Sequence, residues 1–301
     1  MTDFRSGFVA VIGRPNVGKS TLINVLLGQK IAAVSPRPQT TRRRQLGILT
    51  RPGAQVVFVD TPGLHQARHK LGTFMNEEAE ASLDGADAIL FLVDATCDPT
   101  EDDLGIASLI RKLKRRPPVV LALNKIDLVS NEAAAGVVQQ YRQLLPQESE
   151  SFLISATRGD GLDRLVDFLV GLCPVGAPQY EEDQITDLYE REIAADLIRE
   201  AALLKLRDEV PHGLAVRVDE FKERDNGMAY IRATLLVERD SQKGIVIGQG
   251  GKMLKQIGIA ARREIEAMTG RKVFLEMRAK VEKGWRNRES VLERLGYRPK
   301  H

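Results

Sequence analysis

Eight residues near the start of the chain constrain its fold more than any others: Gly13-Arg14-Pro15-Asn16-Val17-Gly18-Lys19-Ser20, which fit the pattern G-x-x-x-x-G-K-[ST]. An apolar run, Phe8 to Ile12, feeds this segment, and a helical pattern leaves it at Thr21. A strand, a glycine-rich turn and a helix in that order make a loop whose backbone N–H groups point inward around phosphate oxygens. In such a loop Lys19 reaches the β- and γ-phosphates and the Ser20 hydroxyl ligates Mg²⁺. The fold this implies is an open α/β sheet with its ligand at the carboxyl ends of the strands.

The remainder of residues 1–173 agrees. Val56 to Val59, Ala88 to Val93, Val119 to Leu123 and Phe152 to Ile154 read as buried strands, alternating with helical patterns such as Leu104 to Leu113 and Leu162 to Leu172. Continuous apolar strands between amphipathic helices indicate a mostly parallel, doubly wound sheet covered on both faces. One hairpin, Leu46 to Thr50 and Gln55 to Val59 across Arg51-Pro52-Gly53-Ala54, adds an antiparallel strand.

Three more signals fall at the ends of strands in this sheet. Asp60-Thr61-Pro62-Gly63, followed by Leu64, supplies a carboxylate for Mg²⁺ and a Gly63 N–H that can sense the γ-phosphate. Asn124-Lys125-Ile126-Asp127 supplies a carboxylate, Asp127, that accepts from guanine N1–H and the exocyclic amine; Lys125 can lay its stem across the ring and Asn124 can brace the loops. Adenine presents an acceptor at N1, which would leave that carboxylate unpaired. Ser155-Ala156 ends the last strand, where the Ala156 N–H can bond guanine O6. Each tetrapeptide alone is weak, but four signals in register on one sheet describe a GTP site.

With these motifs the first domain resembles the small translation-type GTPases. The resemblance implies a switch at Pro38-Gln39-Thr40-Thr41-Arg42, in which Thr41, or its neighbour Thr40, ligates Mg²⁺ and closes on the γ-phosphate. The metal set is then Ser20, Thr41 and Asp60, and the catalytic set Lys19, Thr41, Gly63 and Asn16. Leu64 stands where Ras-like enzymes place a water-orienting glutamine, so slow intrinsic turnover is expected, at or below roughly 10⁻⁴–10⁻³ s⁻¹. In relatives with Arg-Pro-Asn in this loop the asparagine helps hold K⁺; Asn16 is either that ligand or a turn residue after proline. His65 and His69 have the spacing of a zinc helix, but no third ligand is evident and a switch segment is the expected reading.

Cys173-Pro-Val-Gly-Ala-Pro-Gln179 breaks the pattern, and residues 174–184 are expected to be a linker between a GTP-binding domain, 1–173, and a second domain, 185–301. That second half reads helix, strand, strand, helix, helix, strand, with a turn at Asp225-Asn226-Gly227 and Gly248-Gln249-Gly250-Gly251 between its last two helices. In that context the G-x-x-G turn resembles a KH domain of the second topological type, an α+β fold whose loop clamps about four nucleotides of single-stranded RNA. Lys252 and Lys255 add cations beside it. The lone Trp285 either stacks on a base or packs into its domain.

Taken whole, the chain is identified as a member of the Era-like group of translation-factor-type GTPases, a P-loop GTPase domain followed by a type II KH domain. Pro62-Gly63-Leu64-His65, Leu71-Gly72, Met75-Asn76, Thr186-Asp187, Pro211-His212 and Ile245 to Gly248 carry the likeness, which runs to Leu295-Gly296-Tyr297. Gln249 departs from it where lysine is frequent, and Thr157 where leucine or lysine is commoner. The resemblance implies GTP and GDP as ligands, Mg²⁺ and, if Asn16 is its ligand, K⁺ as cations, and the small ribosomal subunit, near the 3′ end of its RNA, as partner. It also implies peripheral membrane association, for which the sequence offers no anchor; the chain is expected to be a monomer.

Composition agrees with this reading. At 43% hydrophobic and 28% charged residues the chain is globular, and no apolar run approaches the ~20 residues that span a bilayer. Two cysteines and no leader pattern at the N-terminus fit the cytoplasm. The net charge of +3 hides an uneven distribution: residues 241–301 hold 15 basic and 6 acidic residues, after a stretch, 181–240, that holds 9 and 16. The basic segment contains the G-x-x-G turn, as an RNA-binding surface requires.

Overall fold

The computed structural model describes residues 4–37, 40–64, 69–145, 149–207, 210–224 and 227–297. The expectations placed on Pro38, Gln39, His65, Asp225 and Asn226 lie outside these residues. The chain divides into two compact units; the first holds the described residues up to Lys30, from Thr41 to Leu64 and from Met75 to Asp187.

In the first unit the strands are β1 (Arg5–Ile12), β2 (Gln45–Arg51), β3 (Ala54–Asp60), β4 (Ala88–Asp94), β5 (Val119–Asn124) and β6 (Glu150–Leu153). They form one sheet in the order β2-β3-β1-β4-β5-β6, all parallel except β2, which pairs antiparallel with β3 through the expected hairpin. The helices are α1 (Lys19–Leu27), α3 (Glu101–Lys112), α4 (Asn131–Leu144), α5 (Leu162–Leu172) and, from Met75 onward, α2 (Lys70–Asp84), whose residues up to Phe74 belong to the second unit. Every residue of β3, β4 and β5 is buried, which is why these strands read as unbroken apolar runs. β1 starts three residues before its apolar run, because Arg5 to Gly7 pair with Ala54 to Val56. The sequence reading passed over α2, α4 and the short last helix; in α2, Leu71, Phe74, Met75, Ala79 and Leu83 are buried at helical spacing, a stripe diluted by Gly72 and the Glu77-Glu78 pair.

The proline- and glycine-bearing stretch after α5 is pinned to the first unit. Ser6 N–H donates to Pro174 O and Gly176 N–H to Phe4 O, while the Gln55 side chain holds the amides of Gln179 and Tyr180 and the Tyr180 carbonyl. Ile48 and Leu46 of β2 then donate their amides to the Ile185 carbonyl and the Asp187 carboxylate. The expected helix from Ile185 consequently starts only at Glu190, where Glu192 reaches back to the Tyr189 amide.

The second unit runs from Leu188 and also takes in described residues 31–37, 40 and 69–74. Its elements are α6 (Glu190–Lys205), β7 (Ala215–Glu223), β8 (Ala229–Val237), α7 (Asp240–Ile247), α8 (Lys252–Thr269), β9 (Val273–Val281) and α9 (Glu289–Arg294). β8 is central, antiparallel to β7 and parallel to β9. One core joins Ile193, Leu197 and Ile198 of α6, Ile231 and Leu235 of β8, and Ile257, Ala261 and Ile265 of α8; the alternate residues Leu275, Met277, Ala279 and Val281 of β9 pack against it. Trp285 is fully buried and donates its indole N–H to Gly213 O at 2.8 Å, so it is a packing residue and not a stacking platform. Among the described residues no helix is long and apolar enough to cross a membrane.

Candidate functional site

The phosphate loop turns where its backbone must. Asn16 and Gly18 take positive φ, 67° and 104°. A Cβ on Gly18 would lie 2.4 Å from Asn124 Nδ2, and one on Gly13 would lie 2.2 Å from Leu92 O, so both positions need glycine for space. Val17 is fully buried and anchors the loop in the core, whereas Asn16 is exposed. Lys19 points inward: its ammonium donates to the carbonyls of Gly13 (2.8 Å) and Arg14 (3.1 Å), and burial pulls its pKa down to about 8 despite the nearby Asp60.

Beneath the loop three oxygens converge. Ser20 Oγ lies 2.8 Å from both Thr41 Oγ1 and Asp60 Oδ2, and Thr41 Oγ1 donates to the same Asp60 oxygen at 3.3 Å. Two hydroxyls and a carboxylate are a hard-oxygen donor set that fits Mg²⁺. Among the described residues no three His, Cys, Asp or Glu side chains gather as a metal site. The other polar residue of the Asp60 motif, Thr61, faces inward and donates its hydroxyl to Val11 O. Gly63 passes so close to Pro15 that a Cβ would meet its ring at 2.9 Å. Leu64 packs against the core cluster that includes Phe91 and Leu123.

The base-reading loops are fixed by their own side chains. Asn124 donates to Val17 O and accepts the Ala156 N–H, tying three loops together. The Ala156 N–H, which is expected to face guanine O6, donates to Asn124 Oδ1 at 2.9 Å. Asp127 Oδ1 accepts from the Ser155 hydroxyl at 2.7 Å, and the exposed Arg158 stands 3.9 Å from its other oxygen. Lys125 has a positive φ of 68° and gives its ammonium to Asp94 Oδ2 at 2.6 Å. Asp94 and the outward course of Arg14 carried no sequence signal. Burial opposes ionisation of Asp94, but hydrogen bonds from Lys125 and Thr96 outweigh it and hold the carboxyl below its ordinary range.

In the second unit the glycine turn joins α7 to α8. Gly248, Gly250 and Gly251 all have positive φ (70°, 58° and 78°), and a Cβ on Gly248 would meet that of Met253 at 2.7 Å. Gln249, Gly250, Lys252 and Lys255 are exposed. A groove of about 390 Å³ runs from Gly251 between α8 and β9. Leu254, Gly258 and Ile259 line one side, with Lys255 and Arg262 among them; Phe274, Leu275 and Met277 line the other. Gly258 permits the close approach, since a Cβ there would lie 2.9 Å from Met277 Cε. The sequence reading found the turn and its lysines but not this apolar wall, which exists only once β9 lies beside α8.

Residues 8–125 match the model of the family described as 50S ribosome-binding GTPase, and residues 209–286 match that of the KH domain. The chain is 48% identical over 299 residues to GTPase Era of Halothermothrix orenii, covering 98% of this chain and 99% of the relative. It belongs to the Era family of GTPases. A second Era relative, from Lacticaseibacillus paracasei, is 47% identical over 300 residues, covering 100% of this chain and 99% of the other. Two solved Era structures superpose with a TM-score of 0.93 at 40% identity, over 98% of this chain and 99% of theirs. One is Era in complex with MgGDPNP and nucleotides 1506–1542 of 16S ribosomal RNA; the other is a variant of Aquifex aeolicus Era bound to GDP and AlF₄⁻. As an Era GTPase the chain hydrolyses GTP. Its architecture is the expected one, a P-loop GTPase domain with a mostly parallel sheet followed by a KH domain.

Proposed function

We propose that this GTPase binds single-stranded RNA at the 3′ end of small-subunit ribosomal RNA and acts in small-subunit assembly, with GTP and GDP switching its hold on the RNA. The observation that carries this reading is the glycine turn, with the exposed Lys252 beside it, opening into a groove lined by apolar residues together with Lys255 and Arg262. Such a groove takes bases against its walls while the turn and the cations take phosphates. The solved relative with 16S nucleotides 1506–1542 bound adds to it.

In this reading residues 1–173 bind nucleotide, 174–184 are the linker and 185–301 bind RNA. Gly13 to Thr21 cradle the phosphates, with Lys19 on the β- and γ-oxygens; Asp60 to Leu64 follow the γ-phosphate, and Asn124, Lys125, Asp127, Ser155 and Ala156 frame the base. Ser20, Thr41 and Asp60 would hold Mg²⁺, which when bound neutralises charge on the β- and γ-phosphates. Leu64, committed to packing, leaves intrinsic hydrolysis slow. Asn16, exposed in the phosphate loop, is the candidate K⁺ ligand; hydrolysis should then run faster in K⁺ than in Na⁺, and equal rates would remove that role. The protein works as a monomer in the cytoplasm and meets the inner face of the membrane only peripherally.

Fluorescence anisotropy with a 16S 3′-end fragment, in the presence of a non-hydrolysable GTP analogue or GDP, tests the reading. Tighter binding with the analogue is expected, with an affinity that falls steeply with salt. Gly251→Asp, which forces a side chain into a φ of 78° and sets a negative charge at the turn, should cost on the order of 10²-fold in RNA affinity, about two phosphate contacts' worth, while leaving GTP hydrolysis intact. Equal affinity in both nucleotide states would end the switching part of the reading; absence of RNA binding would end the rest.

A further inference from the structure

We propose that Asp94, at the end of β4, is a positioning residue of the base site: it holds the Lys125 ammonium in place and, through Arg14, ties the base-reading loop to the phosphate loop. The proposal rests on the reading of Lys125 as the residue that covers the base.

Asp94 pairs in register with Asn124, the first residue of the base-reading loop. Its side chain is only 8% exposed and both oxygens are used. Oδ1 accepts the amide and hydroxyl of Thr96, at 3.0 and 2.6 Å, which fixes the carboxylate plane. Oδ2 faces two cations from two different nucleotide loops: Lys125 Nζ at 2.6 Å and Arg14 NH2 at 3.7 Å. Arg14 is the second residue of the phosphate loop, yet its guanidinium leaves that loop. Its Nε lies 3.3 Å from Asp103 Oδ2, and NH2 donates to Cys97 Sγ at 3.0 Å. Asp103 is itself fully buried and accepts the Thr100 amide and hydroxyl at the start of α3. Arg14 is thus clamped from below by two carboxylates while its carbonyl accepts Lys19 from above.

The physical consequence concerns Lys125. A lysine stem has four rotatable bonds, and left to itself it samples many rotamers in solvent. Here a buried, charged acceptor fixes its far end, while the left-handed backbone at φ 68° fixes the near end. Both ends of the stem are therefore held by the protein's own groups, and nucleotide binding need not order it. The same carboxylate cannot move without disturbing Arg14, so the positions of the base reader and the phosphate loop are set together.

The test is a double-substitution cycle on the full-length protein, read by stopped-flow dissociation of a fluorescent GDP analogue and by steady-state GTP hydrolysis. Asp94→Asn keeps the shape and removes the charge; Arg14 retains Asp103, so the loop keeps one anchor. GDP affinity should fall about tenfold, the effect of freeing one long side chain, with KM for GTP rising in step and kcat unchanged. In a Lys125→Met background Asp94→Asn should cost much less, because only the arm through Arg14, which Asp103 still anchors, is left. Asp94→Glu, which keeps the charge, should recover most of the affinity; a purely structural carboxylate would tolerate the longer side chain less well than the isosteric amide. Should Asp94→Asn fail to fold, Asp94→Ala read with and without Lys125 carries the cycle. An unchanged affinity in Asp94→Asn, an equal loss with and without Lys125, or an amide variant that binds better than the glutamate variant would each overturn the proposal. If Lys125→Met alone leaves GDP binding unaltered, the reading of Lys125 over the base is what fails, and that result is separable from the others.

Discussion

Asp127→Asn should turn this GTPase toward xanthine nucleotides. In the wild-type chain the Asp127 carboxylate is oriented by the Ser155 hydroxyl on Oδ1, and an ionised carboxylate retains lone pairs for two further donors. Guanine offers two, N1–H and the 2-amino group. The carboxamide replaces one acceptor with an N–H₂ donor, which faces a guanine donor across a hydrogen-bond distance. Xanthine carries a carbonyl at position 2 and accepts from that N–H₂. Sites that read a ligand by such pairs discriminate by on the order of 10⁴-fold when a partner is lost, and the ratio of GTP to XTP affinities should change by that order. Competition binding of GDP and XDP measures it. Asp127→Asn with wild-type GTP affinity would contradict the assignment of the base site. Ser155 makes a useful comparison: Ser155→Ala removes the orienting bond but not the charge, so it should weaken both nucleotides modestly and exchange neither.

What could be read from the sequence was whatever the backbone alone dictates. The phosphate loop, the hairpin at Arg51 to Ala54 and the Gly248–Gly251 turn announce themselves because each needs glycine for positive φ or close approach. Buried parallel strands were legible as unbroken apolar runs, and β9 as strict alternation. Features that depend on which strand lies beside which were not legible. Asp94 matters because β4 pairs with β5 in a register that sets it opposite Asn124. The wall of the RNA groove needs β9 against α8, and only Gly258, an unremarked glycine in a helix, hinted at close packing there. The Pro-Gly stretch after α5 looked like a free tether because its composition lacks periodicity. It is ordered by Gln55, one side chain in a distant strand that satisfies three of its backbone groups. The bond from the Ala156 amide to Asn124 was not legible either, because it depends on two loops from different strands lying side by side.

Lys19→Met should lower GTP hydrolysis on the order of 10²–10³-fold, the usual effect of removing one donor aimed at developing transition-state charge, and should carry a pH signature that identifies the cause. Lys19 is buried with a pKa of about 8 against an ordinary 10.5, so the folded protein holds its charge at a cost. Between pH 8 and 10.5 the unfolded chain keeps a proton that the folded chain has released. Stability contributed by Lys19 is therefore fully present above 10.5 and is lost as pH falls through 8, with a slope of up to about 1.4 kcal/mol per pH unit. Nucleotide binding works in the opposite sense. The phosphates favour the ammonium form, so GDP binding above pH 8 must take up a proton, and GDP affinity should decline there by up to tenfold per pH unit. Other groups that titrate in this range remain in both proteins and cancel in the comparison. The difference between wild-type and Lys19→Met unfolding free energies across pH 7.5–9.5, and the pH profile of GDP affinity in each, should therefore diverge from about pH 8 upward in opposite directions. Parallel profiles in the two proteins would mean that Lys19 keeps its ordinary pKa in the empty loop, and that the two carbonyls of Gly13 and Arg14 suffice to offset its burial.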